Sequence, residues 1–250
     1  MCRHLAYLGP PIPLSDLLFT PPHSLARQSW APLDMRGGGT INADGFGVGW
    51  RQDAAFVRYR RDTPLWSDAG LPALAAATSS TAVLAAVRSA TVGMPVIETA
   101  AAPFAEGRWL FSHNGRVAGW PDSVTALAAG LPVRDLITLD APTDSALVWA
   151  LVRARLRDGA ALDTALAGVV ADVSAAAPGS RLNLLLTDGE TIAATTAGHS
   201  LSYLSTAEGA VLVASEPLSP DPAWTAVPDL SLLVAAPPAV TIIALEGALT

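Results

Sequence analysis

Apolar residues form short alternating or continuous runs along most of the chain, which is the pattern of β-strands. The opening run CRHLAYLG predicts a strand that ends at Gly9, and Phe46, Val48 and Trp50 alternate with other residues as in a second strand. Asn114-Gly115 follows an apolar run and predicts a tight turn. Further strands are predicted over residues 55–61, 82–88 and 108–113, and short helices after Ser15, which would cap the first, and over 71–78.

The periodicity becomes helical at Thr143. TDSALVWALVRARLRDG has a capping threonine, apolar positions three and four residues apart, and Gly159 at its end. A second helix is predicted over residues 162–176, and Asp188-Gly189 predicts a hairpin turn. The remaining strands are predicted over 182–187, 191–196, 201–205, 211–215, 230–234 and 240–245. Strands, then two adjacent helices, then strands again indicate an α+β protein rather than a parallel sheet with alternating helices.

Composition narrows the functional classes. Among 250 residues, 51% are hydrophobic and 15% charged, which is a globular balance, and the net charge of −7 argues against a nucleic-acid partner. All 15 basic residues are arginine, so catalysis by a lysine Schiff base or a P-loop lysine is excluded. The single cysteine cannot form an internal disulfide, and neither a secretory signal nor a membrane span is predicted. We therefore expect a cytoplasmic enzyme, with no membrane partner.

Cys2 is the first candidate for chemistry. Most single cysteines are buried structural residues, and that interpretation remains open here. Position two, however, allows Cys2 to become the amino-terminal residue once Met1 is removed. Its thiol would then lie beside its own α-amine, a group of similar basicity that could accept the thiol proton and later protonate a leaving group. The position predicts a nucleophile that needs no separate histidine base.

Three other segments could complete such a site. In His113-Asn114-Gly115, the Asn114 amide and a Gly115 backbone N–H could stabilise an oxyanion, although an ordinary turn explains the same residues. Arg88, at a strand end, could bind a carboxylate or form a surface ion pair. Asp144, in the first helical turn, could bind an ammonium group or only complement the helix dipole.

Read together, MCRHLAYLG, NADGFGVGW, VRSAT, FSHNG and PTDS resemble the successive motifs of the class II glutamine amidotransferases, which are amino-terminal-nucleophile hydrolases. The resemblance implies that Cys2 attacks a γ-glutamyl amide and that Asn114 and Gly115 form the oxyanion hole. It further implies that Arg88 and Asp144 hold the glutamyl carboxylate and ammonium. We also expect His113 in the substrate site, although a structural histidine at the strand end explains it equally. The resemblance implies no metal and no cofactor.

The family fold is a four-layer αββα sandwich, with two antiparallel sheets between helical layers, and we expect one such domain over residues 2–250. The opening residues and the length are most similar to the stand-alone γ-glutamyl amidohydrolases of ergothioneine biosynthesis, whose substrate is γ-glutamyl-hercynylcysteine S-oxide. The residues leave open a glutaminase subunit that supplies ammonia to a partner synthase, a γ-glutamyl peptidase acting on glutathione-like compounds, and an inactive binding domain. They also leave open the oligomeric state, a homodimer included.

Two further features have competing interpretations. Trp30 with Asp34, and Trp66 with Asp68, could line a pocket for a trimethylammonium group, but ordinary loop packing is the favoured interpretation and we do not predict them as site residues. The glycines of GGGTINADGFGVGW lead into a strand and not a helix, so they are not a dinucleotide-binding loop. Gly47 and Gly49 would instead leave room beside Cys2. His23 and His199 are predicted to be structural.

Overall fold

A computed structural model describes residues 2–36 and 41–245 of the chain. Met1, whose removal the sequence predicts, and the first four residues of GGGTINADGFGVGW lie outside this description. The strands are β1 (Arg3–Pro13), β2 (Phe46–Gln52), β3 (Ala55–Arg61), β4 (Ser79–Val87), β5 (Phe104–Glu106), β6 (Trp109–Arg116), β7 (Arg181–Thr187), β8 (Ile192–Thr196), β9 (Ser202–Ser205), β10 (Val211–Ala214), β11 (Thr225–Ala226), β12 (Ser231–Ala236) and β13 (Ala239–Ala244).

The two long helices follow one another directly, as predicted. The helices are α1 (Ser15–Leu18), α2 (Leu25–Gln28), α3 (Leu71–Ala77), α4 (Thr125–Ala129), α5 (Val133–Ile137), α6 (Asp144–Arg157) and α7 (Leu162–Ala176). Thr143 caps α6 by accepting a hydrogen bond from the Ala146 N–H, 3.3 Å away. Within the described residues, no helix has both the length and the apolar character that a membrane crossing requires.

The strands form two sheets in which every pairing is antiparallel. The first has the order β11-β9-β10-β1-β4-β2-β3, and the second has the order β13-β12-β8-β7-β6-β5. In the first sheet β1 lies between β10 and β4, with Leu5 opposite Ala214 on one side and Ala85 on the other. The start of β1, where Cys2 lies, is therefore flanked by the end of β4 and the segment after β10.

Three apolar clusters define four layers. Alternation along β1 sends Leu5 and Tyr7 to one face and Ala6 and Leu8 to the other. The first face packs under α1, α2 and α3, while the second meets the facing sheet. The outer face of the second sheet packs against α6 and α7. This is the predicted αββα sandwich, and its two sheets are both covered on their outer faces by helices.

Gly47 and Gly49 do not serve the purpose that the sequence suggested. An added Cβ at Gly49 would lie 2.6 Å from Leu110 Cδ1, and one at Gly47 would overlap the Ala102 carbonyl oxygen. The nearest atoms thus belong to the second sheet and its approach, and not to Cys2. These glycines allow the two sheets to come close together.

The turn predicted at Asn114-Gly115 is wrong, because β6 continues through both residues to Arg116. Asn114 lies opposite Asn183 and Gly115 opposite Leu182 in the ladder with β7. Pairing with β7 over the whole strand outweighs the local turn preference. The glycine has another cause, since a Cβ there would overlap the Arg181 carbonyl.

Smaller differences concern caps and short elements. β1 does not end at Gly9 but continues to Pro13 after a register shift between Leu8 and Ile12. Ser15 does not cap α1, because the capping position is Leu14 and no side chain caps this helix. The sequence did not predict β5, α2, α4, α5 or β11, which are all five residues or shorter.

Candidate active site

Cys2 lies just before β1 and lines a pocket whose empty space, including the part open to solvent, is about 310 Å³. Its thiol is a free thiol, partly exposed, and its Sγ lies 3.7 Å from the Ser89 carbonyl oxygen. The polar lining of the pocket comes from the three strands β1, β4 and β6 and from the start of α6. These polar residues are Cys2, Arg88, Ser112, His113 and Ser145.

Arg88 enters the pocket from the end of β4. Its Nη1 donates to the carbonyl oxygens of Pro95, at 2.9 Å, and Asp44, at 3.5 Å. Among the described residues, no carboxylate lies within ion-pair distance of the guanidinium. A half-buried guanidinium whose hydrogen bonds within the described residues go to carbonyls retains donors for a ligand carboxylate.

Asp44 was not singled out by the sequence, although it lies in the NADG motif. Its Oδ2 accepts a hydrogen bond from the Ala90 N–H, 2.8 Å away, and its own N–H donates to the Arg88 carbonyl, at 3.0 Å. Asp44 therefore fixes the backbone on both sides of Ser89, which is the residue whose carbonyl faces the Cys2 thiol.

His113 is held between β7 and α6. Its Nε2 lies 2.9 Å from the Arg181 carbonyl oxygen, and its Nδ1 lies 3.0 Å from Ser145 Oγ. A carbonyl can only accept, so Nε2 carries the proton in this arrangement, and in the neutral ring Nδ1 accepts from the Ser145 hydroxyl. Ser145, which the sequence prediction omitted despite its place in PTDS, lines the pocket with His113.

Asp144 is buried at the first turn of α6. Its Oδ2 accepts from the Val117 N–H at 2.9 Å, and its Oδ1 accepts from the Ser145 N–H at 2.8 Å. Asp144 is not among the side chains that line the pocket, but its neighbour Ser145 is. The structure therefore places the carboxylate directly behind the pocket wall, where it fixes the end of β6 against α6.

Asn114 and Gly115 lie next to this pocket and do not line it. The Asn114 side chain is buried, and within residues 2–36 and 41–245 its Nδ2 makes a single long contact, of 3.5 Å, with Ser215 Oγ. Its Oδ1 has no hydrogen-bond partner among the described residues. Ser215 Oγ also accepts from the His4 N–H at 3.0 Å, so Asn114 faces the start of β1, two residues from Cys2.

A buried ion pair that the sequence did not predict anchors the residue after Cys2. Arg3 Nε lies 2.7 Å from Glu216 Oε1, and both side chains are at most 3% exposed. Arg3 Nη1 also donates to the Cys2 carbonyl at 3.0 Å, and Nη2 donates to the Asp34 carbonyl. The other Glu216 oxygen receives His23 Nε2 at 2.6 Å and the Leu33 N–H at 2.9 Å.

Burial alone would raise the pKa of Glu216. The hydrogen bonds from His23 and the Leu33 N–H, together with Arg3, outweigh it and lower the pKa to about 2. Glu216 is therefore ionised at neutral pH and keeps Arg3 in place against the Cys2 carbonyl. His23 serves this network, in agreement with its predicted structural role.

Two further histidines lie near the start of β1. Burial, and then repulsion from His113, His199 and Arg3, lowers the pKa of His4 to about 3. Burial, and then repulsion from Arg181 and Arg3, lowers the pKa of His199 to about 4. Both are neutral at pH 7. His4 Nε2 and His199 Nδ1 have no hydrogen-bond partner in the described part of the chain.

The tryptophan pairs do not form a cage at the pocket. Trp30 is half-exposed and stacks on Arg27, with 3.9 Å between the guanidinium carbon and the ring centroid. Trp66 is likewise half-exposed, and Asp68 accepts a hydrogen bond from Tyr59 at 2.8 Å. Neither tryptophan lines the pocket of Cys2. In the described residues no group of three or more His, Cys, Asp or Glu side chains has a metal-binding arrangement.

Comparison with known proteins identifies the family. The family model described as glutamine amidotransferases class-II matches residues 22–208. The gamma-glutamyl-hercynylcysteine sulfoxide hydrolase of Mycolicibacterium smegmatis is 43% identical over 93% of this chain and 95% of its own length. The protein of the same name from Mycobacterium tuberculosis is 42% identical over 99% of this chain and 98% of its own.

Among solved structures, a glutamine aminotransferase class-II domain protein from Silicibacter pomeroyi superposes with a TM-score of 0.70 at 25% identity. The match covers 98% of this chain and all of the other one. Sequence, fold and the grouping of Cys2, Arg88 and His113 around one pocket agree with one another. The chain belongs to the class II glutamine amidotransferases.

Proposed function

We propose that this protein hydrolyses γ-glutamyl-hercynylcysteine S-oxide to glutamate and hercynylcysteine S-oxide in ergothioneine biosynthesis. The proposal is supported by relatives that carry the name gamma-glutamyl-hercynylcysteine sulfoxide hydrolase and match nearly the whole chain at 42–43% identity. The observation that carries the chemistry is the pocket in which the Cys2 thiol and the Arg88 guanidinium face the same space.

The glutamyl half fits this pocket by charge. Arg88 has no carboxylate partner among the described residues, so it can bind the substrate α-carboxylate with paired hydrogen bonds. Asp144 supplies negative charge behind Ser145 for the α-ammonium, and its Oδ2, which accepts from the Val117 N–H, retains a second acceptor site. His113 and Ser145 line the pocket between Arg88, which would bind the α-carboxylate, and Asp144, which would attract the α-ammonium.

The reaction begins with the Cys2 sulfur, once Met1 has been removed. The α-amine accepts the thiol proton, and the sulfur attacks the γ-carbonyl carbon to form a tetrahedral oxyanion. Asn114 Nδ2, whose one contact is 3.5 Å long, and the Gly115 N–H stabilise that oxyanion. The carbon–nitrogen bond then breaks, and the protonated α-amine donates its proton to the leaving amine.

This step leaves a γ-glutamyl thioester on Cys2. Water attacks the thioester carbonyl, with the α-amine as base, and the carbon–sulfur bond breaks to release glutamate and restore the thiol. No metal or cofactor takes part in the proposed path. The single domain over 2–250, the cytoplasmic location and the homodimer stay predictions.

The test compares three proteins: wild type, Cys2→Ala, and a form with residues retained before Cys2. Wild type should release glutamate from the sulfoxide substrate, and its intact mass should correspond to a chain lacking Met1. Both altered proteins should lose activity by a factor on the order of 10³ or more while keeping the fold, judged by circular dichroism. Full activity in the extended form would contradict the mechanism.

The same assay separates the alternatives. A glutaminase subunit would release glutamate from glutamine faster than from the sulfoxide, and a glutathione-like peptidase would prefer glutathione. An inactive binding domain would form no γ-glutamyl adduct on Cys2 in the mass spectrum. Any of these three results would overturn the proposed substrate.

A further inference from the structure

A second, larger cavity lies on the opposite side of Cys2 from the Arg88 pocket. The empty space within it, including the part open to solvent, is about 660 Å³, roughly twice that of the Cys2 pocket. The residues that line it include Asp34, His199, Ser215, Glu216, Ala226 and Asp229. The proposed chemistry at Cys2 has not assigned any ligand to this cavity.

The topology of the first sheet explains why the two cavities flank Cys2. On the β4 side, Arg3 lies opposite Val87, so Arg88 comes beside Cys2. On the β10 side, the Ser215 N–H donates to the His4 carbonyl at 2.9 Å, and Glu216 binds Arg3. Cys2 therefore lies between Arg88, which lines one cavity, and Glu216, which lines the other.

A γ-glutamyl amide has an acyl half and an amine half on the two sides of the bond that Cys2 attacks. If the glutamyl half occupies the pocket with Arg88, the amine half must lie on another side of the Cys2 sulfur. We propose that the second cavity binds the amine half of the substrate, a bulky zwitterion with a fixed positive charge, with His199 and Asp229 as contacting residues. This inference rests on the proposed function.

Arg3 connects the linings of the two cavities. One guanidinium, that of Arg3, donates to the Cys2 carbonyl on one side and to Glu216 and the Asp34 carbonyl on the other. Ser215 lines the second cavity and contacts the proposed oxyanion donor Asn114. The second cavity thus reaches the groups that surround the reacting bond.

His199 is a polar group in this cavity that lacks a protein partner. It is 3% exposed, and its Nδ1 has no hydrogen-bond partner among the described residues. An unpaired buried nitrogen costs free energy unless a ligand or water completes its hydrogen bond. The imidazole, carboxylate and sulfoxide groups of the amine half can all do so.

The rim of the cavity carries both signs of charge. Asp229 is exposed and uses Oδ1 to accept from the Gly198 N–H at 3.0 Å, so Oδ2 remains open to a cation. Arg36 also lines the cavity. Its Nε lies 2.9 Å from Asp34 Oδ2, and its side chain is 56% exposed. A rim of this kind complements a zwitterion with a trimethylammonium group and carboxylates better than it does a simple anion.

The test fills the cavity without touching the Cys2 pocket. Ala226 is exposed, belongs to the short edge strand β11 and lines the cavity, so Ala226→Trp should occupy part of its volume. Thr225→Trp is the matched control, because neighbouring strand residues point to opposite faces and Thr225 does not line the cavity. Calorimetry then measures the binding of hercynylcysteine S-oxide and, separately, of glutamate to each protein.

We expect Ala226→Trp to weaken binding of hercynylcysteine S-oxide by about tenfold or more and to leave glutamate binding unchanged. Thr225→Trp should bind both as wild type does. Asp229→Asn, which keeps the acceptor for Gly198, should weaken only the amine product. Wild-type affinity for the amine product in Ala226→Trp, or no binding of it to wild type, would overturn the inference.

An assay of glutamate release distinguishes a failure of the proposed function from a failure of the cavity assignment. If wild type and Ala226→Trp release glutamate from the sulfoxide substrate with equal KM, the function stands and the cavity assignment fails. If wild type releases none, the proposed function fails, and the calorimetric comparison of Ala226→Trp with Thr225→Trp alone decides the cavity.

Discussion

The residue after the nucleophile is held more firmly than the nucleophile itself. Arg3 is 1% exposed and is fixed by Glu216 at 2.7 Å, whereas the Cys2 thiol has one long contact of 3.7 Å. Since Arg3 also binds the Cys2 carbonyl, the backbone of Cys2 is positioned while its sulfur is left to move. Glu216 and Arg3 are thus positioning residues for the reaction.

Glu216→Gln should therefore affect both stability and turnover. Removing one partner of a buried ion pair leaves an uncompensated charge, and the expected loss of unfolding free energy is about 3–5 kcal/mol. Below the unfolding transition, kcat should fall because the Cys2 backbone loses its anchor, whereas glutamate binding should be unchanged because the Arg88 pocket is untouched. Urea titration and steady-state kinetics measure the two effects.

The exposed pair Arg155–Asp172 provides the control. Asp172→Asn should change stability by less than about 1 kcal/mol, as for other surface ion pairs, and leave kcat unchanged. Equal effects of the two substitutions would show that the Arg3–Glu216 pair has no special role.

At the scale of single elements, β6 depends on one residue without a side chain. A Cβ at Gly115 would overlap the Arg181 carbonyl of β7, and backbone atoms cannot move aside as a flexible side chain can. Gly115→Ala should therefore force β6 away from β7 and destabilise the protein by about 3 kcal/mol or more. Gly130→Ala is the control, since its Cβ would lie 3.4 Å from the nearest atom at an ordinary φ. Thermal unfolding compares them; similar midpoints would contradict the close approach.

The same strand shows what a sequence can and cannot predict. The local pattern predicted α6 and α7 closely, because the apolar spacing of both helices, and the Thr143 cap of α6, lie within segments of about 15 residues. It mistook Asn114-Gly115 for a turn, because the partner that requires the glycine is Arg181, more than sixty residues away in the chain.

The residues of the site, too, could be predicted from the sequence only where the signal is local. Motifs that are local in sequence predict Cys2, Arg88, His113 and Asp144 as site residues, and the first three of these line the pocket. Glu216 was missed as the partner of Arg3 because 213 residues separate the two. Asp44 and Ser145 lie inside recognised motifs, but only the folded backbone shows that they hold Ala90 and His113.

On the scale of the whole molecule, three buried ionisable groups near the start of β1, namely His4, His199 and Glu216, each keep one protonation state at neutral pH. Burial, with repulsion from neighbouring cations, lowers the pKa of His4 to about 3 and that of His199 to about 4. Both are therefore uncharged in the folded protein across the neutral and mildly acidic range. Glu216, by contrast, is a buried anion whose pKa is lowered to about 2.

These shifts predict acid lability in two stages. In the unfolded chain the histidines titrate near pH 6.5, so between pH 6.5 and about 4 that state binds protons that the folded state does not, and stability falls with pH. Each histidine contributes a slope of about 1.4 kcal/mol per pH unit in this window. From pH 4.5 toward 2, Glu216 adds a further loss, because the unfolded carboxyl takes up its proton first.

Urea unfolding between pH 8 and 4 measures the first stage, with His4→Gln as the diagnostic variant. Gln keeps a hydrogen-bonding group near Ser112, which lies 3.1 Å from His4 Nδ1, but it has no proton to bind in this range. The free energy of unfolding of the variant should lack the pH dependence that one histidine contributes. Its stability relative to wild type should therefore improve steadily as the pH falls from 6.5 to 4. Parallel stability curves for the two proteins over that interval would show that His4 is not held neutral by the fold.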